Sequence, residues 1–151
     1  MRKLTITRRK TFVGALGKLK VYIVDNLHND LDVCGESCRL IGTLKNGETK
    51  SFDIDPVEGR VYVLFDKASR NWCNDSRPIP DGDDDVTLTG ICKFNPFIGN
   101  AYRFDGKADE VSLKNQKISS RKGCLTMILA FLIGIGLGIV LEKIIFDILL
   151  G

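Results

Sequence analysis

The chain has 151 residues, 22 Lys+Arg against 19 Asp+Glu, one His, a formal net charge of +3 and a mean hydropathy near zero. That mean averages two materials: 46 of the first 122 residues are apolar, but so are 20 of the last 29. The composition excludes a large multidomain enzyme, a disordered chain, a collagen-like repeat and a multi-pass transporter, and leaves one soluble domain with one hydrophobic tail.

The first twenty residues carry Arg2, Lys3, Arg8, Arg9, Lys10, Lys18 and Lys20 with no acid before Asp25. Such a stretch suits anionic lipid or a solvated basic strand. Without aromatic interleaving or a helix-turn-helix pattern, nucleic acid is disfavoured as a partner. Short alternating segments follow: Thr5 to Thr7, Leu19 to Ile23, Leu40 to Leu44, Phe52 to Ile54, Val86 to Cys92 and Ala101 to Phe104. Arg60 to Asp66 (RVYVLFD) is mostly β-branched and aromatic and reads as a central strand. Asn46-Gly47 reads as a tight hairpin with positive φ at both turn residues. Asp55-Pro56 with Gly59, Pro78 to Asp85 and Asn95 to Asn100 read as turns. The expected fold is an all-β, Ig-like sandwich of six to eight short strands over residues 1–106. A polar, basic linker or frayed juxtamembrane helix is expected over 107–122, and one C-terminal transmembrane helix with a short tail over 123–151.

From Gly123 to Leu141 the chain has 19 consecutive uncharged residues. As a helix they extend about 28 Å, close to the thickness of a bilayer's hydrocarbon core. A single segment crosses lipid only as a helix, because every backbone polar group must find an internal partner. Arg103, Lys107, Lys114, Lys117, Arg121 and Lys122 precede the span, and Lys143 alone follows it. The positive-inside rule therefore places the head in the cytoplasm, as a single-pass, tail-anchored protein, with Arg121 and Lys122 at the membrane surface. Beyond Leu141 the helix either emerges near Glu142, or tilts while Lys143 snorkels toward the headgroups. Lys143 and Asp147 are spaced to pair on one helix face. Ala130, Gly134 and Gly138 form a small-xxx-small face suited to helix–helix packing, and hence to a homo-oligomer.

One run, LIGTLKNGETKSFDIDPVEGRVYVLFD preceded by VYIVD, resembles the small PEGA-type and related lipoprotein β-sandwich modules. Their pattern is strand, G-x-L-x-x-G hairpin, apolar strand, Pro/Gly turn, strand. The resemblance covers about residues 21–66 and departs from the pattern around Asn26 to Ser37. It implies a sandwich with a scaffold or binding role and carries over no catalytic residues.

Reactive side chains do not form a familiar constellation. His28 lies in the polar loop DNLHND, where a solvated imidazole is the expectation. Cys34 and Cys38 form one C-x3-C pair, while Cys73 and Cys92 stand singly. Structural zinc normally needs two tight pairs. Free buried thiols are therefore expected, with Cys34, Cys38, Cys73 and Cys92 as the candidate ligands of a fold-assembled metal site. Cys124, after Arg121-Lys122, occupies a position suited to acylation. The acidic loop 81–85 departs from the EF-hand spacing, since Val86 stands sixth. Asn74-Asp75-Ser76 has the glycosylation pattern but is irrelevant in a cytosolic domain. No phosphate loop, GxSxG or dinucleotide fingerprint occurs, so no cofactor and no enzymatic activity are expected. The expected function is a non-enzymatic, membrane-anchored module that binds the bilayer and a protein partner. The alternatives are a small membrane-active protein with an oligomerising Gly-rich helix, and a cysteine-based metal-binding domain.

Overall fold

The computed structural model describes residues 1–25, 31–65, 75–96 and 99–150. Strand β1 (Arg2–Arg8) sets the core by simple alternation. Arg2, Leu4, Ile6 and Arg8 point inward, and Lys3, Thr5 and Thr7 point outward. It lies antiparallel to β5 (Thr49–Ile54), with Leu4 opposite Phe52, and parallel to β8 (Val86–Asn95), with Leu4 opposite Val86. Strand β9 (Gly99–Phe104) returns antiparallel along β8 and completes a sheet of order β5-β1-β8-β9.

The second sheet contains β3 (Leu31–Val33), β4 (Glu36–Leu44), β2 (Leu19–Val24), β6 (Gly59–Leu64) and β7 (Ser76–Ile79), in that spatial order. Between the two sheets lie Leu4, Ile6, Val21, Ile23, Val61 and Val63 with their neighbours. The outer face of the second sheet carries its own buried cluster, Tyr22, Val33, Cys38, Tyr62 and Leu64. Burial on both faces explains why β6 is a nearly continuous apolar run instead of an alternating one.

The β-sandwich followed by one long apolar helix is the predicted architecture, with nine strands among the described residues instead of six to eight. Two of these carry little local signal. Strand β3 is only three residues long, and β7 contains Pro78. That proline sits on an edge strand, where a missing N–H is tolerated.

Asn46-Gly47 is not the hairpin turn expected: β4 and β5 lie in different sheets, so this turn carries the chain from one sheet to the other. At Asn46-Gly47 only Gly47 has positive φ, 78°, and the Glu48 N–H donates to the Lys45 carbonyl at 3.2 Å. A type II geometry needs positive φ at its second central residue alone. The turn with two positive φ values is Cys34 (61°) and Gly35 (81°), between β3 and β4. Asp32 steadies it by accepting the Gly35 N–H at 3.1 Å.

Helix α1 (Glu110–Leu150) is continuous through the polar stretch expected as a linker and on through the apolar span. Asp109 starts it as an N-cap, its carboxylate accepting the Ser112 N–H at 2.9 Å while its carbonyl accepts the Leu113 N–H. Ser112, Ser119 and Gly123 are buried along one small, polar face of the first turns, and Ser112 packs against the start of β7. The side chains of residues 146–150, including Asp147, lie outside the described residues, and with them the expected Lys143–Asp147 pair.

Candidate functional site

Two features stand out beyond the core, the root of the helix and an apolar loop. The root is a buried polar network. Asp75 and Arg77, both nearly inaccessible, pair at 2.7 Å. The second Asp75 oxygen accepts the Phe104 N–H at 2.8 Å, and the first accepts the Ser112 hydroxyl at 2.6 Å. Ser112 in turn receives the Ser76 N–H at 3.2 Å. Arg77 stacks over Phe104 and donates to the carbonyls of Phe104, Asp105 and Gly106, capturing the turn that enters the helix. Arg60 donates to Ser76 at 2.8 Å and to Asp109 at 2.6 Å. The Arg60 guanidinium beside it holds the Asp109 carboxyl below the usual carboxylate range. Every charge here has an opposite charge or several main-chain partners, which is the condition for burying ions without a large penalty. The helix therefore leaves the head at a fixed point.

From Leu125 to Ile145 the side chains of α1 face outward, with Phe131, Leu137 and Ile139 each more than 60% exposed. Among the described residues, α1 is the one helix long and apolar enough to cross a membrane. Thr126 returns its hydroxyl to the Lys122 carbonyl at 3.0 Å, which pairs that polar group within the helix.

The apolar loop joins β1 to β2. Phe12 and Leu16 are fully exposed, at 97% and 103%. Arg8, wholly buried, shapes the loop from inside. It donates to the carbonyls of Gly14 and Gly17 at 2.7 Å each and to that of Leu44 at 3.4 Å. Its guanidinium also lies 5.7 Å from the centre of the Phe65 ring. Gly14, with φ 66°, and Gly17 press directly on that ring, where a Cβ would come within 2.4 and 2.8 Å of ring atoms. A shallow open groove of about 520 Å³ lies between this loop, Phe65 and Asn100.

This placement corrects the basic N-terminus as a surface strip. Arg2 and Arg8 are buried because β1 alternation turns them into the sandwich, so neither is available to a phosphate surface. Arg2 donates instead to Val57, Pro80 and Asp84 carbonyls. Arg9 pairs with Asp105 at 2.5 Å, while Lys10 and Lys18 remain exposed beside the loop. Asp85 of the acidic loop accepts the Lys3 N–H at 2.7 Å.

The cysteines do not assemble. Cys38 is buried in the cluster outside the second sheet, whereas Cys92 belongs to the core between the sheets. The second sheet thus separates them, which removes the proposed four-cysteine site. Burial pushes the Cys92 thiol up, favouring its neutral form. Cys34 is disulfide-bonded, not the free thiol expected, and its partner sulfur is not among the described residues. Cys73, His28 and Asn74 also lie outside them. Among the described residues no three His, Cys, Asp or Glu side chains converge as metal ligands would. Cys124 is a free, half-buried thiol on α1. Arg121 and Lys122 are exposed just before the apolar span. Ala130 is likewise exposed, and open space surrounds the Cα atoms of Gly134 and Gly138.

Sequence reasoning missed both the buried Asp75–Arg77 root and the role of Arg8. The available signals were an Arg on the inward phase of β1 and an Asp capping position at 109.

No known family model matches the chain, and no curated protein matches it either. The likeness read over residues 21–66 therefore rests on local residue pattern alone, and the hairpin in that pattern is not formed, since β4 and β5 lie in different sheets.

Proposed function

We propose that this protein is a non-enzymatic binding or scaffold module held at a membrane by α1, with its β-sandwich head on the cytoplasmic side. The observation that carries this reading is the rooting of an outward-facing apolar helix in the head through Asp75, Arg77 and Ser112. A span connected in this way does more than localise. It fixes which surface of the head faces the bilayer and which loops and edge strands face a protein partner. The cation excess before the span supports the cytoplasmic side.

Membrane fractionation tests the reading. The full chain stays in the pellet through alkaline carbonate, and a chain ending before Gly123 moves to the soluble fraction as a folded head. Recovery of the full chain in the soluble fraction would overturn it.

A further inference from the structure

We propose that the loop from Phe12 to Gly17 is a second membrane contact, which inserts Phe12 and Leu16 into the interfacial layer of an anionic bilayer. The inference rests on α1 being the anchor and goes beyond it by assigning a lipid-binding surface to the head.

Three observations converge. First, the two largest side chains of the loop contribute nothing to the core, yet the loop is tightly built. A buried arginine and two glycines packed on Phe65 hold it in shape. A shaped loop that presents apolar tips is organised for contact outside the fold. Second, the tips have a basic rim. Lys10 and Lys18 flank them and are exposed, the charge arrangement that favours anionic headgroups beneath apolar insertion. Third, the loop and the helix root occupy the same end of the second sheet. Lys20 pairs with Leu64 and Ser76 pairs with Tyr62, so the start of β2, the end of β6 and the start of β7 stand together. The loop leads into β2, Phe65 follows β6, and Asp75-Ser76 at the start of β7 hold Ser112 of the helix. From the Tyr62 level to Phe65 is about 10 Å of strand, and from Ser112 to Ser119 is about 10 Å of helix. Asp109 meets Arg60 and Ser112 meets Ser76, which pairs with Tyr62, so the helix advances toward the end of β6 at which Phe65 and the loop lie.

The rigid helix root and the loop would then hold the head at two points, so that it sits on the bilayer in one orientation. Because the tips are short and the rim is cationic, the contact is interfacial and dependent on anionic lipid.

The test uses the full chain with Cys34→Ser, Cys73→Ser and Cys124→Ser, which leaves only the buried Cys38 and Cys92 beside a Leu16→Cys that carries an environment-sensitive fluorophore; the same chain without Leu16→Cys gives the labelling background. The protein is reconstituted into phosphatidylcholine vesicles with and without phosphatidylserine. The expected result is a blue-shifted emission in the anionic vesicles, protected from aqueous iodide. Lipids spin-labelled about 5–10 Å below the headgroups should quench it most. Lys10→Gln and Lys18→Gln each weaken the insertion equilibrium by about fivefold. A label at Asp83→Cys, in the loop bound by Arg2 at the other end of β1, stays in water. Water-like emission at position 16 in anionic vesicles overturns the inference. So does a blue shift that lipid spin labels do not quench, which would mean that the loop packs on a second copy or another protein. A blue shift at position 83 as well would also overturn it, as general adsorption. Alkaline carbonate on the same samples separates the two readings. Protein retained with a water-exposed label refutes the loop contact alone, whereas protein stripped from the vesicles refutes the anchor.

Discussion

Arg2 and Arg8 project from the same face of β1 and close opposite ends of the sandwich, each with its guanidinium bonded to main-chain carbonyls. Leu4 and Ile6 lie between them at 0% exposure. Arg2 holds the carbonyls of Val57, Pro80 and Asp84, and Arg8 holds those of Gly14, Gly17 and Leu44. Among the described residues neither has a carboxylate within ion-pair distance. A planar fork with five donors suits this task, because it satisfies several loop carbonyls at once where an ammonium cannot span them.

Replacing Arg8 by Met preserves volume but strands the loop carbonyls. The expected loss is about 3 kcal/mol, read as a fall of about 15 °C in the Tm of the head. Arg8→Lys should fall between wild type and Met. Arg2→Met should add to Arg8→Met without coupling, since the two guanidinia act roughly 20 Å apart along the strand. Thermal unfolding of the single and double variants checks both statements.

Asp75→Ala should release the helix root. It leaves the Arg77 cation buried beside neutral partners and removes the acceptor of the Ser112 hydroxyl. Breaking a buried pair from one side costs about 3–5 kcal/mol. Hydrogen exchange should show the amides of residues 110–116 losing protection before those of β1 and β2. Equal loss in both regions would show that the root and the sandwich unfold as one unit.

Asp109 provides a pH dependence with a defined sign. Arg60 holds its carboxyl below the ordinary value of 3.8, so the folded state favours the ionised form. The stabilisation is present above the ordinary carboxylate value and is lost as pH falls through the lowered one. The first turn of α1 should therefore loosen only in acid, below about pH 4. Asp109→Asn retains an N-cap of equal quality and removes the charge. Its exchange protection at Ser112 and Leu113 should be lower at neutral pH and nearly flat through the acid range.

Cys34 tests the side of the membrane on which the head resides. Its disulfide is a feature of oxidising compartments, whereas the cations before the span favour the reducing cytoplasm. With the head in the cytoplasm, the glutathione pool should open the disulfide that the folded head can form, so acid-quenched cells yield Cys34 as a thiol that maleimide labels without prior reduction. Labelling only after reduction would place the head on the opposite side and overturn the cytoplasmic assignment.

Much of the sandwich could be read locally. Leu19 to Ile23 and Phe52 to Ile54 alternate because one side of each meets the core, and that period is written directly in the residues. Val61 to Leu64 lost the alternation for an equally physical reason, burial on both faces. Strand β7 was hidden because Pro78 and its neighbours have turn chemistry, and only pairing with β6 makes them a strand. Asn46-Gly47 was legible as a turn but not as to place or type, because β4 and β5 enter different sheets and no paired strands demand the geometry with two positive φ values. The cysteine count allowed a shared site until the sheet placed Cys38 and Cys92 on opposite faces.

Sequence alone determined the β-rich head, the uncharged span and the asymmetry of charge around it. These depend on residue type, on period and on the free energy of moving side chains out of water, all of which are local quantities. The tertiary structure decided which arginines are buried, where the helix is rooted and which apolar residues remain outside the core. Those outcomes depend on contacts between residues far apart in the chain, such as Arg8 with Leu44 and Asp75 with Ser112, whose geometry no local pattern encodes.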